Sequence, residues 1–84
     1  LVKNDIVLTD FNQCDFSQFL LPLITVYNSP EDYPDKIVAR IFDIEKPTPY
    51  IVVTDHIEFL DIPQGKEFIP REKEDDPSII GVWL

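Results

Sequence analysis

The stretch KIVARIFD, residues 36–43, decides the fold, because its β-branched and aromatic residues read as a strand and its neighbours on both sides read the same way. LITVYN (23–28) precedes it across the turn-rich NSPEDYPD (28–35), which predicts a hairpin with a long loop. YIVVT (50–54) follows it across the proline-stiffened IEKPTP (44–49) and is the strongest strand in the chain. Alternation places Ile37, Ala39 and Ile41 on one face and Val38, Arg40 and Phe42 on the other. Only the first of these faces is purely apolar. Arg40 is expected to lay its stem on Phe42 and pair its head with a carboxylate, since acidic residues flank the strand at both ends.

Outward from this centre the elements shorten. DIVLT (5–9) is a possible strand, KEFIP (66–70) a short one, and SIIGVWL (78–84) a terminal strand with apolar residues on both faces. Two segments carry helical spacing. Phe16, Phe19 and Leu20 recur at i, i+3 and i+4 behind Asp15, a suitable cap, and Pro22 ends the segment. In TDHIEFLDIP (54–63) Asp55 and Glu58 have capping-box spacing, Ile57 and Leu60 lie three apart, and Pro63 closes the segment. These readings predict an α+β fold: an antiparallel sheet of four to five strands with one or two short helices packed on one face. Residues 1–84 form a single small acidic domain, in which 1–22 reads as a loosely attached N-terminal segment.

Eighty-four residues make one core, and a chain of this length buries only about 60–65% of its unfolded surface. The single cysteine, Cys14, excludes an internal disulfide and a CxxC pair, which fits a reducing, cytoplasmic setting. The longest apolar run, FLLPLITVY (19–27), is too short to span a bilayer and is broken by Pro22, so no membrane association is expected. Sixteen acidic residues stand against seven basic ones, a formal charge of −9. A field of that sign repels phosphate backbones and argues against nucleic-acid binding, while it favours basic partners.

Few patterns carry chemistry. With two glycines, the chain has neither a G-x-G-x-x-G nor a P-loop signature, and no cofactor is expected. EKEDD (72–76) and the group Asp55, His56, Glu58 and Asp61 concentrate oxygen ligands, but neither shows the alternation and central glycine of a calcium loop, so no metal site is expected. Cys14, Ser17 and His56 lack any nucleophile signature. Residue types suited to interface anchoring are better represented, and the candidate interaction surface comprises Arg40, Tyr33, Trp83, Asp55, His56 and Glu58. The expected function is non-enzymatic: contact with a protein partner, or a homodimer, as a regulator, adaptor or inhibitor. Two alternatives stand beside it: a DNA mimic or antidote that binds a basic partner, and a small enzyme that uses His56 with nearby carboxylates.

The stretches SPEDYPDKIVARIFDIEKPTPYIVVTD (29–55) and DDPSIIGVWL (75–84) resemble a family of small uncharacterised bacterial proteins. The resemblance covers under half of the chain and implies no activity, cofactor or site. It favours a stand-alone cytoplasmic protein over a domain of a large enzyme.

Overall fold

The β-rich runs form six strands in one sheet: β1 (Ile6–Leu8), β2 (Pro22–Asn28), β3 (Ile37–Asp43), β4 (Lys46–Thr54), β5 (Phe68–Pro70) and β6 (Ile79–Trp83). The structure is a computed structural model and describes residues 5–84. Strand order across the sheet is β1-β4-β3-β2-β6-β5. Four of the five pairings are antiparallel, and β1 runs parallel to β4, with Ile6 opposite Tyr50 and Leu8 opposite Val52. The expected antiparallel sheet of four to five strands is therefore corrected to a mixed sheet of six. The short-connection rule that favours antiparallel pairs does not bind β1, because two other strands, β2 and β3, separate it from its partner.

The α+β expectation is corrected as well: among the described residues there is no α-helix, only single 3-10 turns at Phe11–Gln13, Phe16–Gln18 and Ile57–Phe59. Helix nucleation is costly, and Pro22 and Pro63 leave each segment too few residues to recover that cost. A 3-10 turn satisfies the same i, i+3 spacing in three residues. Asp15 does cap its turn, accepting from the Ser17 amide, and Asp10 does the same for the Asn12 amide. At the third turn the N-cap position falls on His56, whose side chain makes no capping bond, so the expected Asp55–Glu58 capping box does not form.

Register puts Ile24, Val26, Ile37, Ala39, Ile41 and Val52 on one face, where they join Leu8, Phe11 and Cys14 in the core. Irregular chain covers this face: Phe16 and Phe19 from one side, Leu60 and Ile62 from the other. Residues 5–22 thus contribute Leu8, Phe11 and Cys14 to the buried centre, with Phe11 only 3% exposed. Burying side chains the size of Ile24 or Ile41 contributes about 1.5–3 kcal/mol each. The opposite face carries Thr25, Tyr27, Val38, Arg40 and Ile51.

Two irregularities shape that second face. Between the Arg40–Ile51 and Phe42–Pro47 pairs, β4 sets Thr48, Pro49 and Tyr50 against Ile41 alone. Pro47 and Pro49 have no N–H to give the ladder, so a bulge here forfeits little. The Thr48 hydroxyl closes it by donating to the Ile41 carbonyl at 2.6 Å. At the far rim, Glu67 and Arg71 turn their backbone groups toward β6, so alternation turns those of Phe68 and Pro70 to the free edge. Close by, an added Cβ at Gly81 would come within 2.6 Å of the Ile69 carbonyl oxygen, which reserves that position for glycine.

Candidate functional site

Strand directions carry three loops to one end of the sheet. Asn28 pairs with Ile37, Ile37 with Thr54, Tyr27 with Ile79, and Gly81 with Pro70, so the loops 29–36, 55–58 and 71–78 all leave from that end. Loop 29–36 holds Glu31, Asp32 and Asp35 against Lys36, and 55–58 holds Asp55 and Glu58. Loop 71–78 holds Glu72, Glu74, Asp75 and Asp76 against Arg71 and Lys73. Each loop carries a net −2, so −6 of the total −9 gathers here. A concentration of like charge lowers the local potential and attracts cationic groups.

Two adjoining concavities open at this end, and both are bounded by Tyr27 and Pro30. One, of about 160 Å³, is completed by Asp32, Tyr33, Val38 and Arg40. The other, of about 520 Å³, is completed by Ser29, Glu31, Asp76 and Ser78. Local backbone explains the shape: Ser29 and Asp35 take positive φ angles of 53° and 63°, and the Ser29 hydroxyl accepts from the Asp35 amide at 2.9 Å. The loop between them is thereby pinched at its base, and Pro30, Asp32 and Tyr33 come to border one concavity with Val38 and Arg40 of the sheet. Proline and tyrosine then form walls that lose little side-chain entropy on contact.

Arg40 forms the floor of the smaller concavity, and its charge is already compensated. Its guanidinium donates to both carboxylate oxygens of Asp5, at 3.0 and 3.1 Å, and to the Thr48 carbonyl at 2.8 Å. Two tyrosines respond to this setting. Burial pushes the Tyr27 hydroxyl above its ordinary pKa, Arg40 pulls against that shift, and Asp76 adds to it. Tyr33 is also raised, by burial first and by the Asp5 carboxylate second. Both phenols are therefore neutral hydrogen-bonding groups at physiological pH.

Of the residues singled out from sequence, Arg40 and Tyr33 meet in this cleft. Asp55 stands at the same end of the sheet, where it is ion-paired to Lys36. His56 and Glu58 are exposed beside it, and the His56 ring meets Phe59 edge-on at 5.3 Å. Trp83 lies elsewhere, packed on the core face against Phe68 with ring centroids 5.2 Å apart. Tyr27, Pro30 and Asp76 were not in the candidate interaction surface; Tyr27 is a residue type suited to anchoring and Asp76 lies in the acidic run 72–76, but only the strand register brings loop 71–78 beside loop 29–36. Among the described residues, no group of three or more His, Cys, Asp or Glu side chains is arranged to hold a metal ion. No described helix is long and apolar enough to cross a membrane.

Comparison with family models, with curated proteins and with solved structures finds no match to this chain.

Proposed function

We propose that the protein acts by contact with a protein partner, and that the partner presents a basic segment to the cleft around Tyr27 and Tyr33. The observation that carries this reading is the coincidence of aromatic, proline-walled concavities with the end of the sheet that holds −6 of the net charge. A lysine or arginine side chain entering there meets tyrosine faces as well as the Glu31, Asp32 and Asp76 carboxylates, and the two attractions add. Arg40 does not oppose such a guest, because Asp5 neutralises it from within the fold. An inhibitor or antidote of a basic protein is the form of regulation that suits this surface. Catalysis through His56 draws less support, since its ring is exposed and its aromatic neighbour is Phe59.

Titration with an arginine-rich peptide, followed by amide chemical shifts, tests the reading. Binding is expected to perturb residues 27–33 and 76–78 and to weaken steeply between low and physiological ionic strength. Asp32→Asn combined with Glu31→Gln is expected to weaken it further, while the same peptide with citrulline in place of arginine binds poorly. Salt-insensitive binding, or shifts confined to another surface, would overturn the proposal.

A further inference from the structure

We propose that a second cavity, on the core side of the sheet, binds an amphipathic monocarboxylate, with the carboxylate on Lys66 and the apolar chain against Phe11 and Phe16. This cavity of about 610 Å³ lies between the N-terminal coil and the turn at residues 63–66. Its volume falls within the range of small-molecule sites, about 300–1,000 Å³. Phenylalanine, proline and leucine residues make up half of its lining, and Lys66 supplies its cation.

The position of that cation is what selects an anion. The Lys66 ammonium donates to the Pro22 carbonyl at 3.0 Å and sits 5.8 Å from the centroid of the Phe16 ring. An ammonium has three N–H donors, and the Pro22 carbonyl takes one. Among the described residues no carboxylate lies within ion-pair distance of it. Asp15 also borders the cavity and stays anionic, since the Ser17 amide at 3.0 Å and the Ser17 hydroxyl at 2.6 Å both donate to one of its oxygens, so a guest carboxylate is directed to the Lys66 side and away from Asp15. Partial burial lowers the Lys66 pKa, and no counter-ion offsets that shift. A guest carboxylate supplies that counter-ion through charge-assisted hydrogen bonds, and an attached alkyl chain covers the aromatic wall.

The site is distinct from the acidic cleft, so its test is independent of the partner proposal. Decanoate, decanol and decylammonium are titrated, below their aggregation limits, into the intact protein and followed by amide chemical shifts. Decanoate is expected to shift residues 14–16 and 63–66 saturably and to bind at least about tenfold more tightly than decanol or decylammonium. Lys66→Met, whose spectrum reports whether the fold is kept, should lose about tenfold in decanoate affinity, whereas Lys66→Arg should keep binding within a few-fold. The absence of a saturable shift with decanoate, equal binding of decanol, or undiminished binding by Lys66→Met would each overturn the proposal.

Discussion

Arg40 and Asp5, thirty-five residues apart in sequence, form a bidentate ion pair in which the side chains are only 13% and 10% exposed. The same guanidinium donates to the Thr48 carbonyl inside the β4 bulge, so one side chain fastens the start of the described chain, the centre of the sheet and its main irregularity. Removing one partner of such a pair leaves the other charge stranded away from water. Asp5→Asn and Arg40→Met are each expected to lower unfolding free energy by about 3 kcal/mol, measured by urea titration. Hydrogen exchange should report the loss first at Ile6–Leu8, the strand that Asp5 precedes. An Asp5→Leu/Arg40→Met double variant should recover part of the loss, because no unpaired charge remains.

Ile44, the first residue of the two-residue connection between β3 and β4, holds a φ of 61°. A β-branched residue is strained there, and hairpins of this kind place glycine or asparagine at such positions. Its amide donates to the Leu21 carbonyl at 3.0 Å, and the Asp43 carboxylate accepts from the amides of Leu20 and Leu21, which together hold the turn in place. The Ile44 side chain is 48% exposed, so little packing offsets the strain. Ile44→Asn is expected to stabilise the protein by about 1 kcal/mol, seen as a raised melting temperature.

Three carboxyls are held below their ordinary pKa: Asp55 by the hydrogen bond and charge of Lys36, Asp15 by the Ser17 hydroxyl and amide, and Asp76 by the Ser78 amide and hydroxyl. A carboxyl depressed on folding binds fewer protons in the folded state. Its stabilising contribution is therefore complete above the unfolded value near 3.8 and is lost as pH falls through the folded value. Stability measured by thermal melts should fall across that acidic window. Asp55→Asn should show a shallower fall over the same range, and a slope equal to that of the parent would remove Asp55 from the account.

The central hairpin was legible because KIVARIFD and YIVVT carry β-branched residues whose alternation matches one buried face. Arg40 was legible too, as a charged residue that breaks an apolar pattern and so needs a partner. Its partner was not, because no local pattern reports that Asp5 lies over the middle of the sheet. The helices were misread since i, i+3 spacing at Phe16 and Phe19 serves a single 3-10 turn as well as an α-helix. Trp83 has a residue type common in interfaces, yet its ring packs on Phe68 within this chain, and only β5–β6 register decides that. The acidic cleft escaped notice for a similar reason: Tyr27, Pro30 and Asp76 become neighbours through strand order, which sequence spacing does not encode.

Pro70 has a consequence for how these molecules meet one another. A sheet margin recruits further chains through a row of repeating donors and acceptors, and such recruitment is how ordered aggregates grow. On the outward side of β5 the row amounts to the Phe68 amide and carbonyl followed by a residue with no N–H to offer. An incoming strand would find one full donor–acceptor anchoring point and then an acceptor with no donor beside it, next to side chains as apolar as Phe68 and Ile69. The missing hydrogen of one imide nitrogen thus guards this apolar margin of the sheet, and it does so at every pH and salt concentration, where mutual charge repulsion would be screened away.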